Sequence, residues 1–254
     1  MYFKEFKELQ FKHKQELEQR QWKKFKMILE HAYKHVPYYR EFFLKNEIRP
    51  NDIKSKDDIV KLPLLTKQEI RKNFKKLIAT NIPKNRRRVD TTSGSTGEPL
   101  IFLWDKYSND LHAATGYLFN SWARREVGDK ILYISNPRPN TNLLVNLYNK
   151  LSGTYFLSIL DLNNKPTTKI LKYIMKIKPK IIYGYVSALS LLATWIKENK
   201  VEFNFKIKSI IATSETLDPF IREKIKEAFK VEIFNRYGSR EFGNIMQDCE
   251  EHNG

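Results

Sequence analysis

The run Thr91-Thr92-Ser93-Gly94-Ser95-Thr96-Gly97 contains only threonine, serine and glycine, in a chain that has nine glycines in all. Side chains this small leave backbone N–H groups uncovered, and the hydroxyls add donors of their own. Such a loop can wrap an anionic group closely. It is neither a Walker A loop, since no Lys-Ser/Thr pair follows Gly97, nor a G-x-G-x-x-G dinucleotide fingerprint. Gly94 and Gly97 do form the G-x-x-G with which KH domains hold an RNA backbone. A KH loop joins two helices, however, and here the apolar segment Leu100 to Trp104 reads as a strand. An ordinary Ser/Thr-rich turn with glycine at positive φ is the other reading of the loop alone.

Three further segments carry hydrogen-bonding groups: Tyr183-Gly184-Tyr185, Ser214-Glu215-Thr216, and Arg236 to Gly243, "RYGSREFG". Each ends or follows an apolar run. Strand-like runs cover 100–104, 130–135, 154–160, 180–184, 208–213 and 231–235, and helix-like patterns fall near 107–126, 141–151, 167–177, 187–199 and 219–229. Pro166 with two threonines, and Asp218 followed by Pro219, are good helix starts. Strand and helix alternating this often predict an α/β fold, with a mainly parallel sheet flanked by helices and right-handed crossovers. In such sheets ligands bind outside the carboxyl ends of the strands. The three segments lie at those ends, so with the Thr91–Gly97 loop they are expected to form one polar crevice.

Residues 1–85 read as a helical N-terminal segment packed on an α/β core at 86–254, with Pro37 as a break. Capping boxes are expected at Ser55/Asp58 and at Thr66/Glu69. A hydrophobic content of 41% and an aromatic content of 13% predict a packed globule and exclude disorder. The single cysteine, Cys249, excludes an internal disulfide framework and suits a reducing compartment. No signal peptide and no apolar run of membrane-spanning length are evident, so a cytoplasmic location is expected. The net charge is +17, from 46 basic against 29 acidic residues. Outside "KNRRRVD" at 84–90 the lysines are spread through nearly every segment, so most of this charge is read as solvated helix faces.

"TTSGSTGEP" resembles the phosphate-binding loop of the adenylate-forming superfamily, the acyl-CoA synthetases and their relatives. "NRYGSRE" (235–241) is similar to that superfamily's N-x-Y-G-x-T-E motif, and "ATSETL" (212–217) stands where its adenine-binding segment would. "AYKHVPYYREFF", "KLPLLTKQEIRKNF" and "IIYGYVSALSLLA" are similar to the phenylacetate–CoA ligase branch, including relatives associated with capsule biosynthesis. The resemblance covers nearly the whole chain. It implies that Thr92, Ser93, Gly94, Ser95, Thr96 and Gly97 cradle the β- and γ-phosphates of ATP. Ser214, Glu215 and Thr216 would line the adenine, Tyr237 would pack on its ring, and Gly238, Ser239 and Arg240 would complete the nucleotide site. Glu241 would hold Mg²⁺, and Tyr183, Gly184 and Tyr185 would border the pocket for a carboxylic acid, for which the aromatic strand ends fit an aryl acid. The implied reaction is attack of that carboxylate on the ATP α-phosphate, giving acyl-AMP and pyrophosphate, with CoA taking the acyl group in complete relatives. Read without the resemblance, Glu241 could equally be a surface carboxylate paired with Arg240 or Arg236, and Tyr237 could be core.

Two departures stand out. Arg240 occupies the place of a Thr, or a Ser in this branch, that contacts the α-phosphate. The chain also ends at Gly254, before the ribose-binding Asp and the C-terminal domain whose Lys is catalytic in the family. The expectation is a truncated form, a fragment, or a domain completed by another polypeptide, which alone binds nucleotide weakly and catalyses poorly, with a homodimer as a further way to cover apolar surface. A non-catalytic remnant or scaffold subunit is the second reading, and RNA binding the third. Cys249 and His252 form a C-x-x-H half-site; zinc would need further ligands.

Overall fold

The computed structural model describes residues 2–92, 98–136 and 143–252. The chain divides into two compact units, Met1–Ala114 and Thr115–Gly254.

The first unit opens with α1 (Tyr2–Leu9), α2 (Lys14–His35) and α3 (Pro37–Lys45), followed by short 3₁₀ turns and α4 (Lys67–Lys72). Pro37 supplies the first residue of α3, where its missing N–H costs nothing. Leu29, Phe43 and Ile53 are the buried centre of this unit, ringed by Trp22, Phe25, Tyr33 and Tyr39. The expected box at Thr66 and Glu69 is present in full, each side chain capping the other's backbone N–H. At Ser55 the backbone N–H donates to Asp58, but the element it leads into is a 3₁₀ turn, Asp57–Lys61. A two-stranded antiparallel hairpin, β1 (Arg87–Thr91) with β2 (Ile101–Asp105), completes the strands of the unit. β1 was not expected from the sequence.

α5 (Lys106–Trp122) leads into the second unit, whose sheet has the order β4-β3-β5-β6-β7-β8. Its strands are β3 (Ile131–Ser135), β4 (Thr154–Ser158), β5 (Ile181–Tyr185), β6 (Ser209–Thr213), β7 (Ile233–Ser239) and β8 (Gly243–Gln247). All neighbouring pairs are parallel except β7 and β8. The helices between them are α6 (Leu143–Leu151), α7 (Ile159–Asn164), α8 (Thr167–Ile177), α9 (Val186–Glu198) and α10 (Pro219–Phe229). The mainly parallel α/β sheet expected from the alternation is therefore present. The expected strand at 154–160 is corrected: it stops at Ser158, whose hydroxyl accepts the Leu160 N–H and starts α7.

The larger core lies on the face covered by α8, α9 and α10, with Ile174, Leu189, Leu192 and Ile225 wholly buried against Leu132, Ile182 and Ile210. The opposite face holds Ala123, Ile131, Ile181, Ile211 and Phe234, with Tyr133 and Tyr183 packed against them. The chain leaves β3 towards β4 but leaves β5 towards β6, so the crossovers reverse between β3 and β5. A doubly wound sheet opens a crevice at this switch point. Among the described residues, no helix is long and apolar enough to cross a membrane.

Candidate functional site

The carboxyl ends of β5, β6 and β7 carry the segments singled out in the sequence. Tyr183 and Tyr185 end β5, and Gly184 between them faces β3 so closely that an added Cβ would lie 3.2 Å from the Ile134 Cβ. Tyr183 meets Tyr133 across the switch point with ring centroids 5.1 Å apart, and Tyr133 stacks on Phe156 at 5.4 Å. Tyr185 occupies the N-cap position of α9.

After β6 the chain turns sharply through Ser214, whose φ of 70° is left-handed. An L side chain is strained there, and such strain gathers at sites where loop shape matters. Ser214→Gly should raise stability by about 1 kcal/mol, the left-handed cost less the extra chain entropy of glycine. Thermal unfolding of the two chains measures it. Glu215 has a fastening role that the sequence did not suggest. One carboxylate oxygen accepts the Ser187 N–H at 2.6 Å and the other the Ser187 hydroxyl at 2.8 Å. It thereby caps the N-terminus of α9, where a carboxylate also meets the positive end of the helix dipole. Its carboxylate braces the 213–216 turn against α9. Ser187 had no signal beyond being the second residue of a helix that follows a strand.

Thr213 donates its hydroxyl to the Arg236 carbonyl at 3.0 Å, tying the end of β6 to β7. From there β7 runs through a bulge between Tyr237 and Gly238 into a tight hairpin with β8. Tyr237 is 61% exposed, so its ring lies open to a planar ligand and is not core. At Gly238 a Cβ would sit 2.4 Å from the Gly243 carbonyl oxygen, and only glycine fits. Ser239 accepts the Phe242 N–H on its hydroxyl, which closes the turn carrying Arg240 and Glu241. Arg240 is exposed. The half-buried Glu241 carboxylate makes no hydrogen bond or ion pair with a described residue, so pairing with Arg240 or Arg236 does not occur. An uncommitted carboxylate suits Mg²⁺, which takes one or two carboxylates and fills its remaining positions with phosphate oxygens and water.

Behind the hairpin, Asp248 accepts the Asn235 N–H at 3.0 Å and an Arg222 guanidinium N–H at 2.8 Å on the same oxygen. Burial pushes its carboxyl up, but the Asn235 and Arg222 donors outweigh this and hold it below the ordinary value of 3.8. His252 lies against the Phe234 ring at 4.5 Å, with Nδ1 3.6 Å from Asp248, and its backbone N–H donates to the Cys249 carbonyl. Among the described residues, no group of three or more His, Cys, Asp or Glu side chains could hold a metal ion.

In the first unit, Thr92 pins the base of its loop: its N–H donates to the Leu100 carbonyl at 3.0 Å and its hydroxyl accepts the Leu100 N–H at 2.9 Å. Ser93, Gly94, Ser95, Thr96 and Gly97 lie outside the described residues.

The fold is that of the acyl-CoA ligases. 2-Hydroxyisobutyryl-CoA ligase, solved in an open conformation with 2-HIB-AMP and CoA, superposes with a TM-score of 0.71 at 18% identity, over 90% of this chain and 55% of that one. Among curated proteins, protein CapK of Staphylococcus aureus is 26% identical over 237 residues, 90% of this chain and 51% of CapK. Phenylacetate-coenzyme A ligase of Pseudomonas putida is 23% identical over 246 residues, 92% of this chain and 54% of the ligase. No protein-family model matches. The resemblance to the phenylacetate–CoA ligase branch of the adenylate-forming enzymes thus holds across the chain, which spans about half the length of these relatives.

Proposed function

We propose that this chain is the nucleotide-binding part of an ATP-dependent, adenylate-forming ligase of the phenylacetate–CoA ligase type. The observation that carries this reading is the β7–β8 hairpin. It holds an exposed aromatic ring, a glycine that admits no side chain and an uncommitted carboxylate within five residues, at the carboxyl edge of a parallel sheet. Tyr237 stacks on the adenine, while Ser214 and Thr216 border its edge on the turn that Glu215 braces. Thr92 and the loop to Gly97 take the β- and γ-phosphates through hydroxyls and backbone N–H groups. Glu241 holds Mg²⁺, which neutralises phosphate charge when bound. An oxygen of the acid's carboxylate, seated beside Tyr183, Gly184 and Tyr185, attacks the α-phosphorus. The bond to the bridging oxygen breaks and pyrophosphate leaves. The acyl-AMP then passes its acyl group to the thiol of CoA, releasing AMP. Alignment and charge neutralisation do this work, with no protein nucleophile.

Tyr237→Ala tests the adenine contact. Stacking of a base on an aromatic ring is worth about 1–3 kcal/mol, so AMP should bind the variant roughly 5- to 150-fold more weakly, read by calorimetry. Equal affinity would remove Tyr237 from the site.

A further inference from the structure

Among the described residues, Arg236 is a buried cation without a counter-ion. It is 6% exposed, in register with Thr213, the last residue of β6, and so near the carboxyl edge of the sheet. Its Nε donates to Gln247 Oε1 at 2.6 Å and its Nη2 to Asn120 Oδ1 at 2.8 Å, and both amides are themselves buried. Gln247 is held in turn by the Phe119 carbonyl at 2.6 Å. The guanidinium lies 5.3 Å from the Tyr183 ring centre and 5.7 Å from that of Phe119. Every partner is neutral, and no described carboxylate pairs with it. Burial lowers its pKa, an effect that Tyr183 and Tyr133 partly offset and Arg125 adds to. Arginine nonetheless stays charged in proteins.

Neutral amides and ring faces return only part of what a guanidinium loses on leaving water. Had the cluster served packing alone, an apolar side chain of similar volume would fill it at less cost. The cation also stands at a particular place. Tyr133 and Tyr183 face each other across the switch point between β3 and β5, and the guanidinium lies over Tyr183. A ligand reaching the carboxyl edge of the sheet here would meet these rings and one fixed positive charge.

We infer that Arg236 selects the acid: the substrate is a carboxylic acid bearing a second carboxylate, which Arg236 takes while the first reacts. This rests on the proposed ligase reading and adds the substrate class to it. The second carboxylate is the fitting partner because a guanidinium clamped on the reacting one would draw off the charge that makes it nucleophilic. The cluster joins α5, β5, β7 and β8, so it was invisible in the sequence, where Arg236 is one letter within "NRYGSRE".

The test is calorimetric titration of the full chain, with AMP bound, by matched pairs of acids. Succinate, glutarate and adipate are set against butyrate, valerate and hexanoate, and 4-carboxyphenylacetate against phenylacetate. At least one diacid should bind ten-fold or more tightly than its partner, and Arg236→Met should abolish the preference while Arg236→Lys keeps part of it. Equal affinities within every pair on the wild-type chain overturn the inference whether or not a variant folds. So does a preference that survives in Arg236→Met. If AMP itself does not bind, the nucleotide reading fails, and this inference falls with it.

Discussion

A Gly238→Ala chain should lose about 3 kcal/mol or more of stability and melt roughly 6–12 °C below the wild type. The added methyl would meet the Gly243 carbonyl oxygen at 2.4 Å and the Gly243 carbonyl carbon at 3.3 Å. Both are backbone atoms of the paired strand, so no rotamer change relieves the clash. The hairpin must open at its bulge, which displaces Tyr237 on one side and Glu241 on the other, and AMP binding should weaken with it. Gly116→Ala is the control. That glycine lies inside α5, and its new methyl would meet only the end of the Asn244 side chain, at 3.2 Å. There the helix propensity of alanine should offset the contact. Equal melting temperatures for Gly238→Ala and wild type would show that the hairpin is looser than its geometry.

The second large effect is at Asp248. Asp248→Ala removes the acceptor shared by Asn235 N–H and the Arg222 guanidinium, which is also bound to the Ile233 carbonyl at 2.7 Å. A half-buried guanidinium left without its carboxylate should cost about 2–3 kcal/mol at pH 7. The sign of its pH dependence comes from the depressed pKa. A carboxyl held below 3.8 in the folded chain contributes stability that is fully present above that value. It is lost as the pH falls through the folded pKa. The gap between wild type and Asp248→Ala, measured by urea unfolding from pH 7 down to pH 3, should therefore be constant to about pH 5 and shrink below pH 4. A gap that does not narrow in acid would mean that Asp248 acts by packing and not by charge.

Much of the fold could be read from the sequence where local chemistry and tertiary packing agree. α8 and α10 occupy the expected residues because Pro166 and the Asp218-Pro219 pair fix their starts; Asp218 accepts the Phe220 N–H. The parallel strands announce themselves as apolar runs because both of their faces are covered. β1 and β8 do not. "RRVDT" and "GNIMQ" lie at sheet edges, where one side of the strand needs no hydrophobic pattern. α7 was hidden because "SIL" continues the apolar run of β4, and only the Ser158 cap marks the change. In the site, hydroxyl and glycine runs betrayed the loops, since their backbone demands are local. The Glu215–Ser187 brace, the Asp248 anchor and the Arg236–Asn120–Gln247 cluster join residues far apart in the chain. Partners of that kind are set by packing, which a single sequence does not display.

The most direct measurement is calorimetric titration of the purified chain with ATP, with and without Mg²⁺. Saturable binding that strengthens when Mg²⁺ is present is the expected result, and the site would then be mapped by the loss caused at Tyr237. A folded chain that takes up no ATP at millimolar concentration, with or without the metal, would contradict the nucleotide site and favour a scaffold role for this fold.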